Sequence, residues 1–126
     1  MSSLDEEIVV LAIADRALRS MWSARLGLAG EILVIVDRCD EPALDAAMRN
    51  AATLITDLGV PCTGPSERIA AVRRQGWCNG VILLVSNPQT DCGDPLAVMV
   101  ARNAETRVVV ALLRAWRCER TLGAAV

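Results

Sequence analysis

Histidine, phenylalanine and tyrosine are all missing from this sequence, and each absence closes off a class of function. Without histidine there is no general base of the commonest kind, no His-activated nucleophile, and no imidazole to complete a zinc site. Without Phe and Tyr, three tryptophans are the only aromatics, so the core must be aliphatic. A CxxC pair is missing too. The five cysteines (Cys39, Cys62, Cys78, Cys92, Cys118) form an odd, scattered set that reads as reduced thiols used as small apolar residues. There is no basic surplus: the formal net charge is −2, which gives nucleic-acid binding through phosphates no support. No apolar run approaches the ~18–20 residues of a membrane span. The start, MSSLDEEIVVLAI, is acidic before its apolar run, unlike a secretory leader, so a cytoplasmic setting is expected. GxGxxG, a P-loop and a glycine-rich first turn are also lacking.

What remains is a strongly apolar chain, 53% hydrophobic and 22% charged, a globular composition expected to fold as one domain over 1–126. IVVLAIA (8–14) is a continuous apolar run of the length of a strand buried on both faces, and it ends at Asp15. From Arg16 the spacing turns helical, with Leu18, Met21, Trp22 and Leu26 at steps of three and four, which makes Trp22 core. EILVIVD (31–37) predicts a second strand. Asp40, Glu41 and Pro42 look like the cap and first turn of a helix through Asn50. AATLIT (51–56) predicts a third strand ending at Asp57, and Ser66 a cap for the next helix. VILLVS (81–86) predicts a fourth strand, PLAVMVARN (95–103) a fourth helix and RVVVALL (107–113) a fifth strand, with a short or degenerate final helix after about residue 113.

Alternating strands and helices of this kind imply a parallel sheet covered on both sides. The expected fold class is therefore α/β: a doubly wound five-stranded parallel sheet of order 2-1-3-4-5, flavodoxin-like. In that order the first and third strands are neighbours, and their carboxyl ends flank the crevice where such sheets keep their chemistry. Asp15, Asp57 and Ser86 end the first, third and fourth strands and are expected to converge there. Two carboxylates with water suit Mg²⁺, a hydroxyl can donate to a phosphoryl oxygen, and a carboxylate can itself form an acyl phosphate. Asp15 serves equally well as the N-cap of the first helix. Arg16 is placed to pair with Asp57 as a fixed cation in place of the metal.

LITDLGVPCTGPSERIAAVRRQ resembles the phospho-acceptor strand, loop and third helix of bacterial response-regulator receiver domains, and the similarity runs over about residues 8–113. The resemblance implies that Asp57 is the phosphoacceptor and that Pro61 is the proline four positions on. It implies that Ser86, in VILLVSN, contacts the phosphoryl group, and that Asp15, in AIADRALRS, is one of two acids holding magnesium with Asp57. The chain also departs from the pattern. Ala14-Asp15-Arg16 supplies one acid where the family has a pair. On a strand at 107–113, Val110 or Ala111 stands where the family has lysine, with Arg107 and Arg114 the nearest cations; no tyrosine can act as the strand-five switch.

These features together predict an atypical or pseudo-receiver rather than an enzyme, with weak magnesium binding and signalling by protein–protein contact. Its partners would be a histidine kinase or other signalling protein, and a second copy of itself. The homodimer is expected through the fourth helix, fifth strand and C-terminal segment, with Leu112, Leu113 and Trp116 as anchors, because a strand at 107–113 would be an uncovered edge. The alternative is a small ligand- or nucleotide-binding protein or enzyme on the same fold.

Overall fold

The computed structural model describes residues 7–58, 64–88 and 93–125, with side chains described to residue 119. Five strands run parallel in the order β2-β1-β3-β4-β5, as expected. They are β1 (Ile8–Ala12), β2 (Ile32–Val36), β3 (Thr53–Asp57), β4 (Val81–Val85) and β5 (Ala97–Ala101). Around them lie α1 (Arg16–Leu28), α2 (Ala46–Ala51), α3 (Pro65–Arg74) and α4 (Thr106–Ala125).

The near-unbroken apolar sequence of β1, β3 and β4 follows from their position. They are the central strands, and both of their faces are covered. Alternate residues divide between two cores. Val10, Leu54, Leu83 and Met99 face α3 with Ile69, Val72 and Trp77. Val9, Leu11, Ile55, Ile82 and Val100 face α1 and α4 with Trp22, Leu26, Val109, Leu113 and Trp116. By the same alternation Asp57, two positions after Ile55, points to the α1–α4 side, and Thr56 to the α3 side.

The last third of the chain departs from expectation. Residues 95–103 hold strand β5 rather than a helix, and 107–113 lie inside the twenty-residue helix α4 rather than in a strand. Short apolar runs are ambiguous between the two periods. Val98 and Val100 alternate on one sheet face, whereas Val109, Leu113 and Trp116, at steps of four and three, form one buried helical stripe. The long final helix replaces the degenerate one expected and makes Leu113 and Trp116 core residues, not exposed anchors. Among the described residues no helix lies between β4 and β5.

Two helix starts also differ. The cap of α2 is Asp45, whose carboxylate accepts from Met48 N at 2.9 Å, while Asp40 pairs with Arg38 in the preceding loop. The cap of α3 is Gly64, with Pro65 in the first turn and Ser66 inside the helix.

The return to β5 is tied down by Arg73 of α3. Its Nε and Nη2 grip the two carboxylate oxygens of Asp94 at 2.8 and 2.9 Å, and its Nη1 donates to the carbonyls of Trp77 and Asn79. The Arg73 hydrogen bond holds the Asp94 carboxyl below its ordinary pKa. A carboxyl depressed in the folded state stabilises fully above its unfolded pKa, and that contribution is lost as pH falls through the folded value. The stability difference between the parent and Asp94→Asn, from urea midpoints, should be constant above about pH 5 and shrink below about pH 4. A difference independent of pH would show that the pair contributes through geometry alone.

Candidate functional site

The carboxyl edge of the sheet brings two acids together through backbone geometry. β1 and β3 pair in register, Ala12 opposite Thr56, so Asp57 lies beside the turn that leads from β1 into α1. Its side chain is 3% exposed. The main-chain N–H of Ala14 donates to Oδ1 at 3.2 Å, and that of Asp15 donates to Oδ2 at 3.3 Å. A buried carboxylate needs such donors, and here the turn supplies both.

Asp15 has two tasks. Oδ1 caps α1 by accepting from Leu18 N at 3.1 Å, and Oδ2 accepts from Arg102 Nη2 at 2.8 Å. The Leu18 hydrogen bond, with the Arg102 guanidinium second, lowers the Asp15 pKa. Arg16 is exposed and forms no ion pair with Asp57 among the described residues. The cation of the crevice is Arg102. With β5 ending at Ala101, Arg102 is the first residue after strand five, so neither Val110 nor Ala111 holds that place.

A second arginine braces Asp57 from the opposite sheet face. Arg68 of α3 donates through Nε to the Asp57 main-chain carbonyl at 3.2 Å, and through Nη2 to Thr56 Oγ1 at 3.2 Å and Cys39 Sγ at 3.3 Å. Burial pushes the Cys39 thiol pKa up, in keeping with a small apolar residue. Cys39, Cys78 and Cys118 are free thiols. Cys62 and Cys92, with Pro61, lie outside the described residues. Neither Arg68 nor Arg102 was singled out by sequence. The signal for Arg68 was the helical step from Ser66 into the apolar stripe; for Arg102 it was the end of a strand that the sequence reads as helix.

Ser86 follows β4 directly and is exposed. Asp57 pairs in register with Leu84, so Ser86 stands two positions further along the neighbouring strand. Asp15, Asp57 and Ser86 thus share the carboxyl edge of three adjacent strands. A pocket of about 250 Å³, lined by Ala14, Asp37, Cys39, Asp40 and Arg68, opens on the Arg68 side of this edge.

The donor set fits a divalent cation poorly. Each of the four oxygens of Asp15 and Asp57 already receives an N–H donor, one of them from a guanidinium. Among the described residues no three Asp, Glu, Cys or His side chains group as metal ligands. Also among the described residues, no helix is long and apolar enough to cross a membrane.

Neither a protein-family model nor a curated protein matches the sequence. Solved structures do match the fold. The chemotaxis protein CheY4 of Vibrio cholerae superposes with a TM-score of 0.65 at 17% identity, over 87% of this chain and 98% of that one. The receiver domain of Francisella response regulator 1452 gives 0.68 at 14% identity, over 91% and 98%. The BeF3-activated N-terminal receiver domain of Klebsiella pneumoniae RstA gives 0.63 at 19% identity, over 88% and 98%. The chain has the fold of a response-regulator receiver domain.

Proposed function

We propose that this chain is an atypical receiver module of two-component signalling, a single receiver-like domain that acts in the cytoplasm by protein–protein contact and not as an enzyme. The observation that carries the reading is Asp57. It is a buried carboxylate at the carboxyl end of the central strand β3, held by the amides of Ala14 and Asp15 on a receiver fold. Asp57 Oδ would attack the phosphorus of a donor such as a phosphohistidine of a kinase. One P–O bond forms as the bond to the donor breaks, and the product is an acyl phosphate. Ser86 contributes a hydroxyl at the same edge. Among the described residues magnesium would meet Asp15 and Asp57, both already hydrogen-bonded and one paired with Arg102, so its binding would be weak.

Both Asp57 oxygens are engaged by amides, Arg102 is committed to Asp15, and Arg68 is committed to main-chain and Thr56 oxygens on the other sheet face. Transition-state charge is therefore poorly met. Acetyl phosphate should label the protein slowly and substoichiometrically, and Asp57→Asn should abolish the label, read by intact-mass spectrometry. Rapid stoichiometric labelling would overturn the atypical part of the proposal, and labelling that survives Asp57→Asn would overturn the site.

The proposal includes a homodimer. The surface differs from the sequence expectation, because Leu113 and Trp116 are buried. A groove of about 540 Å³ between the edge strand β5 and α4, lined by Val98, Val100, Ala104, Val108 and Leu112, is the apolar surface on that side. Light scattering on the labelled and unlabelled samples reads the association state, and a monomer in both removes the dimer from the proposal.

A further inference from the structure

We infer that Arg102 is the resident cation of the acid crevice: it neutralises Asp15 on the oxygen left free by the helix cap, and so disfavours a divalent metal there. The inference rests on the reading of Asp15 and Asp57 as the paired acids of a receiver site, and deepens it.

Three features set Arg102 apart from an ordinary surface arginine. Its main chain is held at both ends: its N–H donates to the Val85 carbonyl at 2.9 Å, and its own carbonyl accepts from Trp22 Nε1 at 3.1 Å. Trp22 is wholly buried, so the root of the side chain is anchored in the core between α1 and the sheet. Its partner is equally fixed, since Asp15 is the N-cap of α1 and its carboxylate cannot turn away without giving up Leu18 N. Finally, the contacted oxygen is the one that the helix cap leaves free. Magnesium sits about 2.0–2.1 Å from a carboxylate oxygen. A guanidinium nitrogen 2.8 Å from Asp15 Oδ2 contests that volume and repels a second positive charge. With Oδ1 used as the cap and both Asp57 oxygens taking amides, each carboxylate oxygen of Asp15 and Asp57 already accepts a hydrogen bond.

The pair is too exposed to stabilise the fold much, with side chains 38% and 42% accessible. The main-chain bonds of residue 102 do not depend on its side chain. Arg102→Ala should therefore fold, with unchanged Trp emission and circular dichroism, while it frees the acids.

The test is Mn²⁺ binding to the full chain, followed by the electron paramagnetic resonance signal of the free ion with Mg²⁺ as competitor. The parent should leave Mn²⁺ free into the millimolar range. Arg102→Ala should bind one ion roughly tenfold tighter or better. Adding Asp15→Asn, which keeps the cap but removes the charge, should abolish the gain. Arg102→Met, run in parallel, should match Arg102→Ala, so that a folding fault in one variant is seen. Tight binding by the parent would overturn the inference, as would variants that bind no better than it does. Failure of Asp57 to accept phosphate would remove the receiver reading but leave this contrast in metal binding intact. Loss of the contrast alone would leave the phosphoacceptor untouched.

Discussion

Trp116→Ala should lower folding stability by about 3–5 kcal/mol, the usual cost of emptying a buried tryptophan site. Trp116 is 7% exposed and joins Val109 and Leu113 in the stripe that α4 adds to the core it shares with α1 and the sheet. Its ring lies directly on Gly80, the residue before β4, where an added Cβ would come within 2.5 Å of ring carbons Cε3 and Cζ3. That close approach explains the glycine: β4 enters the sheet beneath the indole, and any side chain there would lift it. Gly80→Ala should therefore also destabilise, by about 1–3 kcal/mol through overpacking. Urea unfolding of both variants measures the effect. If Trp116→Ala costs under about 1 kcal/mol, the helix is not docked as described, and Trp116 returns as an interface residue. If Trp116 were an interface anchor, Trp116→Glu would separate dimers and leave a stable monomer. Docked as it is, that substitution should unfold the chain.

Arg117→Met should cost less, about 1–3 kcal/mol, because it leaves the Glu31 carboxylate without its charged donor. Arg117 lies one residue past Trp116. Its Nε reaches Glu7 Oε2 at 3.2 Å just before β1, and Nη1 and Nη2 reach the two oxygens of Glu31 just before β2. The Glu31 side chain is only 6% exposed. One guanidinium thus joins the amino ends of two strands to the final helix, and its own pKa is raised chiefly by the Glu31 hydrogen bond. Removing one partner of such a pair costs more than removing both, since the survivor keeps its desolvation penalty. Glu31→Gln in the Arg117→Met background should recover part of the loss in urea unfolding. A double variant no more stable than the single one would show that packing of the arginine stem, not the stranded carboxylate, is responsible.

The central strands β1, β3 and β4 were legible in the sequence because a strand buried on both faces needs nothing beyond its own residues to declare itself, and the edge strand β2 was legible from its short β-branched run. Alternation with helices then fixes a parallel sheet, and Asp57 at the end of TLIT is placed by counting. Helix starts were less legible. DEP at 40–42 has the composition of a cap, yet Asp45 does the capping, because the loop must first carry Cys39 and Leu44 into the core. Trp77 is another such case: its ring is buried and its Nε1 donates to the Cys39 carbonyl at 3.1 Å, a partner no local pattern reveals.

The sequence by itself determined the α/β class and the acids at the ends of the first and third strands, since these follow from local periodicity, and the order 2-1-3-4-5 followed from the doubly wound class they imply. Only the tertiary structure decided which of 97–101 and 107–113 is the strand. Both runs are short and apolar, and the choice turns on which one completes the sheet beside β4 and which has a stripe to cover it. The same choice decided the cation. Arg16 is next to Asp15 in sequence, but helical geometry turns it to solvent, whereas Arg102, 87 positions away, is carried to Asp15 by the end of β5. A side chain's partner across that distance is a property of packing, which neither composition nor spacing encodes.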